Sequence, residues 1–314
     1  MEIKSVLSYL INRQVFQEII LAEQINVGAS GAKLFKVIDG NKSFVLKLAH
    51  KSFHDDKSLV ASYKKELEFY QLNRTLEIPY VPETVYSEIH DEYGCILVMK
   101  YYPPVEHHQW SEELQKNAVD LCARLNSISL ESVSPLHLPQ NKIEIDWTFT
   151  EKSYQEWKLV LSQHEGRFDT KMLDEIYANI DIVCPILNNE PHYVCHGDFH
   201  PENMLHDGDK LYICDWQNIQ IGKCIGDISF FISRGIGFGI NMNADDLLDY
   251  YCERLSKYRG MNISKTVLLR EKHASTVLNT FSFWAYYLKN CSYERVAGQF
   301  NDMVNSYKYL VDLG

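Results

Sequence analysis

The residue types best placed to do chemistry lie in His196-Gly197-Asp198-Phe199-His200-Pro201-Glu202-Asn203, followed after a short turn by Ile213-Cys214-Asp215-Trp216. An Asp, an Asn five residues later and another Asp shortly after form the spacing that holds a nucleotide's magnesium beside a hydroxyl nucleophile. In that chemistry Asp198 accepts or orients the acceptor's proton and Asn203 holds one Mg²⁺. Asp215, at the end of a strand, bridges metal and phosphates. The expected reaction is phosphoryl transfer to a small molecule.

Such a loop needs a second element that brings positive charge to the phosphates. Residues 17–27 read as a strand leading into Gly28-Ala29-Ser30-Gly31, with a second strand at about 33–38. The turn Asp39-Gly40-Asn41 then feeds a third strand, Ser43 to Ala49. This is the start of an antiparallel sheet, and not the strand–loop–helix order of a P-loop or Rossmann unit. On the third strand Phe44, Leu46 and Leu48 share one face, while Val45, Lys47 and Ala49 share the other. Lys47 is thereby expected to reach phosphates beneath a loop containing Gly28, Ser30 and Gly31. The bland alternative is a solvent-facing lysine beside a plain hairpin.

A helix over 56–76 carries Glu66, the expected carboxylate partner of Lys47, with Glu68 as the alternative. Strands at about 83–90 and 95–101 complete a small lobe. Met99-Lys100-Tyr101-Tyr102-Pro103-Pro104 reads as a hinge whose free backbone groups suit adenine recognition, with Met99 and Tyr101 against the base. The division is 1–100 for a nucleotide-binding lobe and 101–314 for a catalytic, acceptor-binding lobe. The latter begins with a helix from Ser111 and continues through helical segments at about 146–163 and 168–188. Tyr193–Cys195 and Leu211–Cys214 read as strands on either side of the catalytic loop. Asp227 sits at the start of a mostly apolar helix, placed to cap backbone N–H groups and brace the loop.

Composition narrows the classes. The 314 residues are 46% hydrophobic with a formal net charge of -11, which suits a folded two-lobed protein and argues against a general nucleic-acid binder. The eight cysteines are scattered without a C-x-x-C pair and read as reduced structural thiols. His107, His108, His137 and His164 read as surface histidines. No signal peptide and no stretch of about 18 apolar residues is evident, so a soluble cytoplasmic protein without a membrane partner is expected.

The run His-Gly-Asp-Phe-His-Pro-Glu-Asn-Met-Leu, followed by Cys-Asp-Trp, resembles the aminoglycoside phosphotransferase and choline kinase-like superfamily. The resemblance extends in order from the glycine loop to the Asp227 segment. It implies an α+β, bilobal protein-kinase-like fold: a small antiparallel sheet with one helix, and a larger, mainly helical lobe. It also implies Asp198 as catalytic base, Asn203 and Asp215 as magnesium ligands, Lys47 as the phosphate-binding lysine and His196 as a brace for the loop. ATP, with GTP as the alternative, and Mg²⁺ are the implied cofactors, and a monomer or homodimer the implied state. Two positions depart from the family pattern: Glu202 stands where a small residue is usual, and Gln217 where Glu is common.

The resemblance suggests an amine-bearing acceptor: an aminoglycoside or related antibiotic, or alternatively choline, ethanolamine or homoserine. Asp245, Asp246, Asp249 and Glu253 read more readily as the solvated face of a helix capped by Asn243 than as an acceptor wall. The run Phe281, Phe283, Trp284, Tyr286, Tyr287 reads as a buried helix rather than a cation cradle. From other classes, a metallohydrolase built on His196, Asp198 and His200 and a catalytically dead nucleotide-sensing module are the rivals.

Overall fold

The computed structural model describes residues 3–25, 31–50, 57–138, 140, 142–164, 166–208 and 210–312. Five strands form one antiparallel sheet: β1 (Ile19–Ile25), β2 (Lys33–Asp39), β3 (Lys42–Ala49), β4 (Thr84–His90) and β5 (Gly94–Lys100), in the order β1-β2-β3-β5-β4. Alternation along β3 sorts its two faces. Phe44, Leu46 and Leu48 are buried with Phe35, Val37, Ile96 and Val98, whereas Val45 and Lys47 face the cleft. The apolar face is sealed by α1 (Ile3–Asn12) through Val6 and Leu10. The small sheet is thus flanked by α1 ahead of it in the chain and by α2 (Lys57–Leu76), which follows β3.

The larger part is mainly helical: α3 (Glu112–Asn126), α4 (Trp147–Ser162), α5 (Thr170–Ala178), α6 (Val183–Asn188), α7 (Ile225–Gly237), α8 (Ala244–Arg259), α9 (Lys265–Asn279), α10 (Ala285–Leu288) and α11 (Tyr293–Asp312). Ser111 caps α3 by accepting from the Leu114 N–H, and Asn243 caps α8 by accepting from the Asp246 N–H. Leu247, Leu248, Tyr251 and Leu255 are the buried side of α8. The segment 168–188 is not one helix. It breaks at Asn179, whose φ of -125° is not helical, and resumes as a 3-10 turn and α6.

Another expectation fails at 280–284, which forms a π-helix and not a uniformly buried α-helix. Phe281 is buried, but Phe283, Tyr286 and Tyr287 are 55%, 70% and 68% exposed. A π turn strains the i→i+4 ladder, and α4 compensates: Trp157 Nε1 donates to the Phe281 carbonyl at 3.0 Å and Ser153 Oγ to that of Ser282 at 3.0 Å. His164 is half-buried, with Nε2 enclosed, and is not the surface histidine expected from its loop position.

The two parts share a core. Phe69 and Tyr70 of α2 and Leu97 and Met99 of β5 pack in one cluster with Val119, Phe199 and Trp216. The chain continues past β5 through Pro103 and Val105, which bond His206 and Met204 at 2.9 and 3.0 Å. Among the described residues no helix is long and apolar enough to cross a membrane.

Candidate active site

Four short strands frame the catalytic loop. β6 (Tyr193–Cys195) pairs with β9 (Gln220–Gly222), and β7 (Met204–Asp207) pairs with β8 (Lys210–Ile213). The loop from His196 to Asn203 is strung between two separate ladders, so both of its ends are anchored. β7 and β9 are too short to show a period in the sequence.

Gly197 supplies the sharp bend, at φ +79°, and any Cβ there would collide with the Asn218 backbone carbonyl. Asp227 holds the same bend: its carboxylate accepts from the His196 N–H at 2.8 Å and the Gly197 N–H at 2.9 Å. The expected brace is present, but it spans from α7 to the loop, while the N-cap of α7 is Cys224 with no capping side-chain bond. Burial pushes the Asp227 carboxyl upward despite His196 and these N–H donors.

Sequence reasoning missed Asn126, fully buried at the end of α3. Its Nδ2 donates to the Val194 carbonyl at 2.8 Å and to Asp227 at 3.2 Å, and its Oδ1 accepts from the Tyr251 hydroxyl at 2.7 Å. The available signal was an Asn four residues after Cys122 on the apolar stripe of α3.

His196 is fully buried, with Nε2 3.1 Å from the Cys214 carbonyl and Nδ1 accepting from the Asp198 N–H at 3.3 Å. Burial lowers its pKa, so the imidazole is a neutral strut. With both nitrogens engaged it offers no metal lone pair, and the metallohydrolase arrangement of His196, Asp198 and His200 does not form. Among the described residues no group of three or more His, Cys, Asp or Glu is placed to hold a metal ion.

Asp198 and Asn203 meet as the spacing suggests. Asn203 Nδ2 donates to the Asp198 carbonyl at 2.8 Å and to its carboxylate at 3.3 Å. Burial works to raise the Asp198 carboxyl, but the hydrogen bond and charge of His200, with His196 and Asn203, hold it below the ordinary carboxylate range. Asp215 lies in the left-handed region at φ +67°, unusual for a residue other than glycine. The bonds on either side hold it there: the Cys214 N–H donates to the Asn203 carbonyl at 3.0 Å, and Trp216 Nε1 to that of Ile213 at 2.9 Å. Trp216 is buried and stacks on Phe69 of α2 at 4.1 Å. Burial lifts the Cys214 thiol to about 12, so it is no nucleophile.

Lys47 spans the gap between sheet and loop. Its Nζ lies 2.7 Å from Glu66 and 2.7 Å from Asp215. Burial favours a neutral amine, but the two carboxylates prevail and hold the ammonium above its ordinary pKa. Burial in turn raises Glu66, which Lys47 only partly offsets. Glu66 is thus the partner of Lys47, while Glu68 sits outside beside Lys64 at 3.8 Å.

These groups line one cleft of about 990 Å³ with Met99, Tyr101, Glu202, Gln217 and Arg234, a size suited to a small ligand and cofactor. The hinge is less open than expected. The Lys100 and Tyr101 N–H groups are taken by the Glu83 and Ser43 carbonyls at 2.9 Å each. Gly28 and Ser30 lie outside the described residues; Gly31 has φ +75°.

The donor chemistry at the loop fits magnesium. The Asn203 amide turns its nitrogen to Asp198, leaving its oxygen clear of that contact, and Asp215 engages Lys47 through one oxygen of two. An amide oxygen and a carboxylate are hard donors, and Mg²⁺ commonly takes its other positions from phosphates and water.

The sheet-plus-helical architecture is that of the kinase-like bilobal class. Solved structures of similar fold include a choline kinase from Cryptosporidium parvum Iowa II, with 14% identity, TM-score 0.62 and coverage of 100% of this chain and 97% of that one. A Plasmodium vivax ethanolamine kinase gives 13% identity, TM-score 0.59 and coverage of 96% and 86%. The ADP-bound aminoglycoside phosphotransferase APH(2'')-Ib gives 18%, 0.56, and 96% of both chains. Residues 22–261 match the model of the phosphotransferase enzyme family, and the chain belongs to that family. Protein LicA of Haemophilus influenzae is 36% identical over 64 residues, a stretch covering 20% of this chain and 23% of that protein.

Proposed function

We propose that the chain is an ATP- and Mg²⁺-dependent O-phosphotransferase that moves the γ-phosphate to a hydroxyl of a small amine-bearing molecule. The observation that carries this is the convergence of Lys47, Glu66 and Asp215 within 2.7 Å contacts, in the same cleft as Asp198 and Asn203. Lys47 brings a permanent positive charge to the phosphates, and Glu66 aims it. Asp198, ionised at neutral pH, orients the acceptor hydroxyl and accepts its proton. Asn203 and Asp215 would hold magnesium. Bound there, the metal would neutralise charge on the phosphate oxygens. Asp227, His196 and Asn126 do no chemistry themselves; they fix the loop so that Asp198 needs no reorganisation.

Met99 and Tyr101 are the proposed wall for the base, with residues 1–100 as the nucleotide-binding lobe and 101–314 as the catalytic and acceptor-binding lobe. The names of the similar structures support nucleotide and amine alike: one is ADP-bound, another is a streptomycin–ATP ternary complex, and others are choline and ethanolamine kinases. An intact Lys47, Asp198, Asn203 and Asp215 set weighs against a dead nucleotide sensor.

The test is an acceptor panel of kanamycin, streptomycin, choline, ethanolamine and homoserine, with glucose and ribose as amine-free sugars, each with Mg·ATP and read by mass spectrometry of the acceptor. The expected product is an amine-bearing acceptor phosphorylated on a hydroxyl. Phosphorylation only of amine-free sugars would overturn the acceptor class, and absence of any transfer would overturn the activity.

A further inference from the structure

Helix α7 follows the catalytic loop residue by residue. Its first turn carries Asp227, bonded to the loop backbone, and next come Phe230, edge-on to His200 at 5.5 Å, and Phe231, packed on Phe199 at 5.6 Å. Two turns beyond Asp227, Arg234 Nη2 reaches the Glu202 carboxylate at 3.1 Å. That last contact differs from the others. Asp227 and Phe231 are buried, whereas the side chains of Glu202 and Arg234 are 47% and 45% exposed and both line the cleft.

The two loop carboxylates stand on either side of one imidazole. His200 Nε2 is 3.6 Å from Asp198 Oδ1, and its Nδ1 is 3.8 Å from Glu202 Oε2. A carboxylate that orients a hydroxyl therefore lies one ring's width from a carboxylate facing the same cleft. Arg234 also has somewhere else to go: its guanidinium already lies 4.6 Å from the centroid of the Phe238 ring, a face that retains a cation. An ion pair this exposed is held weakly and exchanges at little cost.

We propose that Glu202 is the seat for the acceptor's ammonium group and that Arg234 occupies this seat in the free enzyme. On binding, the acceptor's cation replaces the guanidinium against Glu202, Arg234 stays on Phe238, and the hydroxyl falls to Asp198. The acceptor class is thereby narrowed to amino alcohols whose cation and reacting hydroxyl are close together. This rests on the phosphotransferase reading above.

The experiment compares wild type, Glu202→Gln, Glu202→Asp and Arg234→Gln, with ethanolamine, choline and kanamycin as acceptors and ethylene glycol as the amine-free counterpart. Glu202→Gln should raise the acceptor KM about ten-fold, as loss of a charge-assisted contact does, and Glu202→Asp should recover part of it. Arg234→Gln should move KM the other way, because it removes the competitor. If the pair merely clamps the loop, both Gln variants shift KM in the same direction, and that result overturns the proposal. Equal use of ethanolamine and ethylene glycol by wild type overturns it as well, as does Mg·ATP binding without transfer to any of the amines. Failure to bind Mg·ATP at all would instead strike at the phosphotransferase reading beneath it.

Discussion

Replacing Asp198 by Ala should lower turnover by about 10²–10⁴-fold, the range for loss of a positioned general base, while leaving Mg·ATP binding intact. The separation follows from the geometry. Asp198 is held by Asn203 and His200, whereas Lys47 is held by Glu66 and Asp215. Removing the Asp198 carboxylate takes away no partner of Lys47. The Asn203 side chain keeps its 2.8 Å bond to the Asp198 backbone carbonyl, which the substitution preserves. Steady-state kinetics at saturating acceptor, paired with calorimetric titration of Mg·ATP, checks both halves. Near wild-type turnover would remove Asp198 from the chemistry.

Lys47→Ala should be costly twice. It strips the phosphates of a cation, and it leaves Glu66, with a side chain only 3% exposed, beside Asp215 with no counter-charge. Removing one partner of a buried ion pair costs about 3–5 kcal/mol. Glu66 then takes up a proton, helped by burial that already holds its carboxyl high. Thermal unfolding should therefore fall markedly, and a second change, Glu66→Gln, should restore much of the stability by removing the stranded charge. Turnover should stay lost in the double variant. Recovery of activity together with stability would mean that Lys47 matters only as a structural counter-ion.

The residues that carried most of the site in the sequence were those whose chemistry is rare at such spacing. Asp198, Asn203 and Asp215 announced a loop, and the order of sheet before loop led to Lys47. Period-2 alternation on β3 gave the face of Lys47 correctly, because one face of that strand seals a core and the other lines a cleft. What failed to show were features set by distant contacts. Asn126 is an ordinary polar residue until Val194, Asp227 and Tyr251 close around it. The π turn at 280–284 depends on Trp157 and Ser153 of another helix, and no local pattern encodes that. The break at Asn179 went unseen because the apolar period runs on across it. The prolines that follow the hinge suggest an open backbone, yet the Lys100 and Tyr101 N–H groups are bonded to the Glu83 and Ser43 carbonyls.

The most direct test of the cleft's assignment is a calorimetric titration of ATP with and without Mg²⁺, into wild type and Asp215→Ala. Lys47 and Asp215 touch at 2.7 Å across the gap between sheet and loop, so nucleotide and metal should converge there. The expected result is tight binding to wild type that depends on Mg²⁺, with the metal-dependent gain absent in Asp215→Ala. Equal Mg·ATP affinity in the two proteins would contradict the placement of metal and triphosphate between Lys47 and the catalytic loop.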